Sequence, residues 1–486
     1  MIDFDMEDFY VDIHCHATMR AMHTSPVNGY ERNHWSDNFN DVIDTRLGRW
    51  AWQMSAGVAK VSQSNFYNCI KGKTRVVFDS LYPIERGFIN FRKVPQKLIG
   101  VKAAETLVVT SSGVSVEQFR KYRTDDDYFK DLQEQYQFLV DKQGKSPCGK
   151  YNFKIVNNFF ELKEVTESQP NTIAILVTIE GAHVFGCGRK STEKTPESEL
   201  TQTIIENIQK VKQWEYPPFF MTFAHHFWNQ LCGHSPTFPT PTRVTCNQNP
   251  GLDTGFREIG WIALKQLLSR KNGKRILIDT RHMSAKSRME YYTFIQNHNS
   301  ENPNDKIPII SSHTAVNGFE TMEASLEQKD NQTKKKNSAF CNWSLNISNE
   351  EARMIHESGG IAGIILDKGR HSGGKLLKSI ESITNPEEKK QAFLKLILDN
   401  IFQYIQAVGQ KSGWDILTLG TDFDGVITHF DCYENMSKLP ELKADLIGYL
   451  KKHRYKEELW FGYRPEEIFE KIFTNNAMQF LERNFV

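Results

Sequence analysis

The sequence predicts an α/β protein, a (β/α)8 barrel of the TIM type. Eight short runs rich in Val, Ile, Leu and Phe recur along the chain, as buried parallel strands do. Longer amphipathic patterns lie between them, which is typical of helices that cover a sheet. No glycine-rich phosphate loop follows the first run, which disfavours an open dinucleotide-binding sheet.

The predicted strands are spread over the whole chain. In order they are FYVDIHCH (9–16), TRVVFDSLY (74–82), TIAILVTIEG (172–181), FFMTFAHH (219–226), RILIDTRH (275–282), IPIISSH (307–313), GGIAGIIL (359–366) and DILTLGTDFDG (415–425). Helices are predicted between them, notably in ELTQTIIENIQKVKQW (199–214), GFREIGWIALKQLLSRK (255–271), SAKSRMEYYTFIQNH (284–298) and NEEARMIHESG (349–359).

Two segments depart from this alternation. Residues 85–170 separate two predicted strands by more than one helix requires, so we predict helices there that add a small layer to the barrel. Residues 320–340 are polar and lysine-rich, which predicts an exposed loop. The length allows two or three ordinary domains, but we predict one enlarged barrel over residues 1–486.

Composition excludes several classes of function. Lys and Arg total 60 against 59 Asp and Glu, so the protein has no overall electrostatic field that would recruit nucleic acid or an anionic membrane.

The acidic start MIDFDMEDFY is unlike a secretory signal and no run is long enough to span a bilayer, so a soluble, cytoplasmic protein is expected. The eight cysteines include no Cys-x-x-Cys pair, and we expect no disulfides.

The function should therefore come from a local site, and the strand ends supply one. Barrel enzymes carry their reactive groups at the C-terminal ends of the strands. Here those ends hold His14, His16, Glu180, His225, His226, His282, His313 and Asp422. Imidazoles and carboxylates suit zinc or a similar divalent ion, and a shared carboxylate can hold two such ions around one water.

Each of these residues has an ordinary explanation when taken alone. A His-x-His pair in a strand is more often structural, a single histidine after a strand often completes a turn, and Asp422 could cap the next helix. The combination favours a site, because ionisable groups seldom end buried strands unless they are paired or bound to metal. Since side chains alternate along a strand, His14 and His16 should point to the same side.

The sequence also resembles the renal (membrane) dipeptidases, a family of zinc metallopeptidases within the amidohydrolase-like barrels. The motifs that carry the resemblance are HCH, TIEGAH, TFAHHFWN, LIDTRHMS, IISSHTAV, LNISNEEARMI and LGTDFDGV, with a similar C-terminal tail. The resemblance implies a binuclear zinc centre, a small-molecule amide substrate and a homodimer.

It also implies a role for each site residue. Glu180 would bridge two zinc ions, His14 and His16 would complete one site, and His282 and His313 the other. His225 matches the family histidine that contacts the substrate carbonyl. Asp422 matches the acidic group beside the bridging water, whereas Asp424 is expected to orient the loop.

Two positions differ from the family pattern. The first motif of the family is usually His-x-Asp, so His16 replaces a carboxylate with an imidazole and removes one negative charge. The family also binds the substrate carboxylate with an arginine just before the segment that matches LNISNEEARM. Here that place reads CNWSLN (341–346), and Lys334 to Lys336 are the candidate substitutes, although a solvated loop explains those lysines as well.

The predicted function is hydrolysis of a dipeptide amide bond by a hydroxide that two metal ions activate, with Asp422 moving the proton and His225 polarising the carbonyl. An alternative is another amidohydrolase on the same scaffold, acting on an N-acyl amino acid, a cyclic amide or a lactone. A non-catalytic metal-binding or scaffold protein is a further alternative. A nucleic-acid binder is disfavoured by the charge.

Overall fold

The computed structural model describes residues 8–23, 31–36, 62–88, 105–106, 109, 114–238, 246–326 and 338–486. Within these ranges one sheet of ten strands runs through the molecule. In chain order its strands are β1 Tyr10–Cys15, β2 Thr74–Leu81, β3 Gly144–Lys145, β4 Asn152–Ile155, β5 Thr172–Glu180, β6 Phe220–Thr222, β7 Leu277–Asp279, β8 Ile310–Thr314, β9 Ile361–Ile364 and β10 Leu417–Leu419.

Eight of these strands close into a parallel barrel. Going round the barrel, β1 is followed by β2, β5, β6, β7, β8, β9 and β10, and β10 pairs again with β1. Seven of the eight lie within the predicted apolar runs and β8 extends one residue past its run, to Thr314, so the (β/α)8 prediction is confirmed.

Helices connect the strands and cover the barrel. They are α1 Ala17–His23, α2 Phe66–Lys71, α3 Val116–Thr124, α4 Tyr128–Asp141, α5 Phe159–Ser168, α6 Glu197–Lys212, α7 Glu258–Leu268, α8 Ala285–Glu301, α9 Met322–Leu326, α10 Asn349–Glu357, α11 Lys368–His371, α12 Gly374–Glu381, α13 Pro386–Val408, α14 Leu439–His453, α15 Pro465–Glu470 and α16 Asn476–Asn484. The four helices predicted by name appear as α6, α7, α8 and α10.

Local sequence signals set several helix boundaries. Ser348 begins α10 with a capping box, in which its side chain accepts from the backbone of Glu351 and the Glu351 side chain accepts from the backbone of Ser348. Asn385 caps α13 and is followed by Pro386 in the first turn, and Gly409 ends that helix in the left-handed conformation.

The inserted segment 85–170 contains both helices and strands. Its described part forms α3, α4 and α5 together with the antiparallel pair β3 and β4. Strand β4 pairs in parallel with the beginning of β5, while β6 pairs with the end of β5. Residues 89–104, 107–108 and 110–113 of the insertion lie outside the described residues.

The lysine-rich segment 320–340 is only partly described. Met322–Leu326 form the short helix α9, and the prediction for residues 327–337, which include Lys334 to Lys336, lies outside the described residues. Among the helices that are described, none is both long and apolar enough to cross a membrane. All eight cysteines are free thiols.

Two glycines let β8, β9 and β10 approach one another inside the barrel. A Cβ atom added at Gly363 or at Gly420 would lie 1.8 Å from the carbonyl oxygen of Ser312. Since that carbonyl belongs to the backbone of β8, it cannot move aside as a flexible side chain would.

We expect Gly363→Ala to lower the free energy of unfolding by about 1–3 kcal/mol, because the added methyl group overpacks the barrel interior. Urea denaturation followed by circular dichroism measures the change. Gly374→Ala is the matched control, since a Cβ there meets nothing within 4 Å. Equal stability of the two variants would contradict this account of the barrel interior.

Candidate metal centre

The predicted site residues come together at the C-terminal end of the barrel. His14 lies in β1 and His16 directly follows it, Glu180 is the last residue of β5, and His313 lies in β8. The remaining three follow their strands by three residues: His225 after β6, His282 after β7 and Asp422 after β10. All seven side chains are buried, with Asp422 the most exposed at 8 %.

The Glu180 carboxylate lies at the centre of this group. Its Oε1 atom faces the Nε2 atoms of His14 at 3.5 Å, His282 at 3.6 Å and His313 at 3.7 Å. Its Oε2 atom faces Nε2 of His16 at 3.1 Å and of His225 at 3.4 Å. The two oxygens of one buried carboxylate therefore face two separate sets of imidazole nitrogens.

His14 links these sets in a way that the resemblance does not imply. Its Nε2 faces the same Glu180 oxygen as His282 and His313, and its ring stacks on His313 with centroids 4.0 Å apart. Nε2 of His14 also lies 3.8 Å from Oδ1 of Asp422, which is 3.5 Å from Nε2 of His16. His14 is therefore within reach of both halves of the centre.

Hydrogen bonds behind the rings turn their Nε2 atoms inward. Nδ1 of His16 donates to the carbonyl of Ser80 at 3.0 Å. Nδ1 of His313 lies 2.8 Å from Oγ of Ser312, which in turn donates to Asp279. Because a neutral imidazole that donates through Nδ1 presents a lone pair at Nε2, these contacts suit His16 and His313 to bind a cation.

The backbone is strained at two of the site residues. His282 has a φ of 64° and Asp422 a φ of 58°, both in the left-handed region that costs a non-glycine residue about 1–2 kcal/mol. Gly425 leaves room for the Asp422 carboxylate, since a Cβ there would lie 1.9 Å from Oδ1 of Asp422. Such strain persists only where the surrounding structure fixes it, and it is frequent at functional sites.

Asp424 lies apart from the ring of histidines. Its carboxylate accepts hydrogen bonds from the backbone N–H groups of Gln63 and Ser64 and from the Ser64 hydroxyl. These contacts fasten the loop after β10 to the segment before α2, which agrees with the orienting role expected for this residue.

Burial and neighbouring charges in the centre favour an ionised Glu180 and neutral His282 and His313, the protonation states that bind metal ions. Burial would raise the pKa of Glu180, but His225, His14 and His16 hold it well below its usual range. Burial lowers the pKa of His282 and of His313 well below the ordinary value, which favours neutral imidazoles. Burial alone would lower the pKa of His16, yet Glu180 and Asp422 raise it, so a bound cation would displace a proton from this ring.

The pKa of Asp422 is shifted in the opposite direction to that of Glu180. Burial raises the pKa of Asp422, while a hydrogen bond from His16 and the charges of His14 and His16 oppose the rise. Two carboxylates in one site thus have environments that push their pKa values apart. Such a pair is typical of a site in which one carboxylate binds and the other accepts a proton.

Two residues beside the centre were not assigned a role from the sequence. His226 lies with His225 and His282 in a trio whose candidate ligand atoms are all within 4.8 Å of one another. Glu85 lies 2.6 Å from Nδ1 of His225. The HH pair at 225–226 is visible in the sequence, but nothing in YPIERG marks Glu85, which reaches the site only through the fold.

The donor set fits a divalent metal. Glu180 Oε1 and His14 Nε2 are buried and make no hydrogen bond within the described part of the chain. The trios His14–Glu180–His313 and His14–His16–Asp422 also place their ligand atoms within 4.8 Å of one another. Imidazole nitrogens around a shared carboxylate are the ligands that zinc and similar ions prefer, and such an ion would satisfy both unpaired atoms.

The fold and the site define a class, the (β/α)8 barrels that carry a histidine and carboxylate centre at the C-terminal ends of their strands. A family model described as membrane dipeptidase (peptidase family M19) matches residues 220–459, about half of the chain. The chain belongs to this membrane dipeptidase family.

Individual proteins resemble the chain over part of the sequence or in the fold. The chain is 31% identical to dipeptidase tcpJ of Claviceps purpurea over 84 residues, which span 17% of this chain and only 19% of that relative. Among solved structures, a metallo peptidase from Rhodobacter sphaeroides, bound to a phosphinate mimic of the dipeptide L-Ala-D-Ala, has a TM-score of 0.51 and 14% identity and covers 98% of this chain and 99% of its own. The dipeptidase AC, a metallo peptidase, has a TM-score of 0.50 and 13% identity over 98% of both chains. These two structures share the fold.

We expect Glu180→Gln to lower metal content at both positions together, because each oxygen of the carboxylate faces its own set of imidazoles and an amide offers only one acceptor. Plasma mass spectrometry on zinc-supplemented, desalted protein gives the metal content per chain. Glu351→Gln, a change at a buried carboxylate that pairs with Arg288, is the control and should keep its metal. Full occupancy in the Glu180 variant would argue against a shared carboxylate.

Proposed function

We propose that this protein is a metal-dependent dipeptidase that hydrolyses the amide bond of dipeptides. The observation that carries the proposal is the buried Glu180 carboxylate, whose two oxygens face separate sets of imidazole nitrogens at the open end of a (β/α)8 barrel. Membership of the membrane dipeptidase family supports the type of reaction. The dipeptide mimic bound by the Rhodobacter sphaeroides metallo peptidase supports the type of substrate.

His14, His16, Glu180, His282 and His313 are the proposed ligands of two divalent ions, with zinc expected from the donor set. Bound there, such ions would supply a Lewis acid for the amide carbonyl and lower the pKa of a water. The remaining chemistry belongs to side chains of the chain itself.

Asp422 is the proposed proton carrier. Its carboxylate lies within 4 Å of the rings of His14 and His16, and Asp422 is the most exposed of the seven site residues. Burial raises the pKa of this carboxyl, which makes it a stronger base than an exposed aspartate. Asp422 would accept a proton from the attacking water and pass it to the amine that leaves.

His225 is the proposed contact for the carbonyl oxygen of the substrate. Burial would lower the pKa of His225, but Glu180 and Glu85 raise it, so the ring is favoured as a hydrogen-bond donor. A donor aimed at the oxygen is worth most when negative charge develops there in the transition state.

Arg370 is the proposed contact for the free carboxylate of a dipeptide. Its guanidinium lies over the ring of Trp343, 5.0 Å from the centroid, and Trp343 belongs to the CNWSLN segment that lacks the family arginine. Arg370 also donates to the carbonyl of Thr237, whose hydroxyl lies 2.8 Å from Nδ1 of His226. A cation from α11 therefore lies beside the segment that lacks the family arginine, with Asp367 as its ion-pair partner at 3.6 Å.

Two expectations from the sequence stay predictions. The eight free thiols are typical of a reducing compartment such as the cytoplasm. A homodimer is implied by the resemblance alone.

We expect the zinc-loaded protein to release free amino acids from a panel of unblocked dipeptides, measured by a ninhydrin or chromatographic assay. The panel should also contain N-acyl amino acids, cyclic amides and lactones. Asp422→Asn should keep its metal and lose about 10²–10⁴-fold in kcat, because the amide cannot take up the proton. Turnover only of the compounds that lack a dipeptide would replace the proposal with another amidohydrolase, and equal turnover by the variant would remove Asp422 from its role.

We expect Arg370→Gln to raise KM for a dipeptide about 10–100-fold, the loss expected for one charge-assisted hydrogen bond. The same variant should hydrolyse the matching dipeptide amide with unchanged kcat/KM, since that substrate has no terminal carboxylate. Lys368→Gln is the control. Lys368 lies in the same helix as Arg370, and its charge is already neutralised by Asp431 and Glu381. Equal losses with both substrates would show that Arg370 does not read the carboxylate.

A further inference from the structure

Glu85 stands directly behind His225. One carboxylate oxygen of Glu85, Oε2, lies 2.6 Å from Nδ1 of the imidazole. At the opposite edge of the ring, Nε2 lies 3.4 Å from Oε2 of Glu180. Glu85 is 2 % exposed, so solvent does not compete for this contact. The His225 ring is therefore held between a carboxylate behind it and the centre in front of it.

The Glu85 carboxylate is saturated with donors. Besides His225, its Oε2 accepts from the Tyr82 hydroxyl at 3.2 Å and from the backbone N–H of His226 at 3.3 Å. Its Oε1 accepts from the backbone N–H of Phe227 at 3.0 Å. Since every partner is a donor, Nδ1 of His225 must carry the hydrogen, and the Nε2 position is left to the centre.

The segment that carries Glu85 is itself firmly held. Tyr82 makes two hydrogen bonds with Gln135 of α4: its backbone N–H donates to Oε1 of Gln135, and its carbonyl accepts from Nε2 of Gln135. Arg86 forms a buried ion pair with Asp131 of the same helix. The ring of Phe227 packs against Gly87, where an added Cβ would approach to 2.5 Å. The inserted helix α4 therefore braces the loop that places Glu85.

We propose that Glu85 is a positioning residue that fixes the orientation of the His225 ring and, with it, the loop of residues 225–227. The proposal rests on the proposed function, because it explains how the residue assigned to the substrate carbonyl is held in place. It also gives the inserted segment a purpose, since the brace on Glu85 comes from α4.

The geometry indicates why a carboxylate is used here. An amide has one acceptor oxygen and one NH2 group, so in Glu85→Gln the NH2 group must face either the Phe227 N–H or the three donors at Oε2. In either case a buried donor loses its acceptor and the loop loses its single fixed arrangement. His225 would then be free to turn or to change tautomer.

The test compares Glu85→Gln with the zinc-loaded wild-type enzyme on a dipeptide. We expect full metal content, a KM within about threefold and a fall in kcat of about 10–100-fold, the range for loss of a supporting contact behind a site residue. In a His225→Gln background the same change should cost no further activity, because a residue that acts only through His225 has nothing left to position.

A spectroscopic readout makes the test independent of activity. In protein labelled with ¹⁵N-histidine, the His225 Nδ1–H should give a proton resonance shifted strongly downfield by its short hydrogen bond, assigned by its loss in His225→Gln. The resonance should also disappear in Glu85→Gln. Glu351→Gln, which changes a comparably buried carboxylate that pairs with Arg288 and caps α10, should keep both the resonance and kcat.

The outcomes separate this inference from the proposed function. If the wild-type enzyme hydrolyses no dipeptide, the proposed function fails and the resonance alone decides whether Glu85 holds His225. If the wild-type enzyme is active and Glu85→Gln matches it, or loses the same factor in both backgrounds, the inference is wrong. If Glu85→Gln does not fold, absence of the Nδ1–H resonance from the wild-type protein would overturn the inference.

Discussion

The burial of the Glu180 carboxylate among five imidazoles is the constraint on which the rest of the site depends. A buried charge costs several kcal/mol unless opposite charge or hydrogen-bond donors surround it. Here the surrounding groups come from strands β1, β6, β7 and β8, which are far apart in sequence. Only a closed barrel brings the C-terminal ends of these strands together, so the centre depends on closure of the barrel.

A second layer of contacts makes this ring of imidazoles usable. The Nδ1 atoms of three rings are held from behind: that of His16 by Ser80, that of His313 by Ser312 with Asp279, and that of His225 by Glu85. In each case Nε2 is left facing the Glu180 carboxylate. Rotation of any one ring would leave a buried donor or acceptor without a partner. The centre is thus organised before any ligand arrives, which is what catalysis by fixed charges and dipoles requires.

The sequence anticipated the parts of the molecule that depend on short-range patterns. All eight barrel strands were predicted because a run of buried apolar residues between helices has few other structures to adopt. The inserted strands β3 and β4 were not predicted, since two and four residues are too short to show a period. The seven site residues could be named because barrels place reactive groups at one end of their strands.

What the sequence could not supply was the detailed pairing within the centre. The resemblance groups His14 with His16, and the structure keeps both beside Asp422, but the Nε2 atom of His14 also faces the same Glu180 oxygen as His282 and His313. Arg370 and Glu85 likewise carry no local signal, because each reaches the site from an element whose own sequence says nothing about metals or substrates.

The sequence by itself determined the barrel, the end of it that carries the chemistry and the residue types available there, because each follows from the period and order of residues along one chain. The tertiary structure alone decided which atoms face one another. Distances such as the 2.6 Å between Glu85 and His225 depend on how two loops 140 positions apart pack across the barrel mouth, and no pattern along the chain encodes that packing.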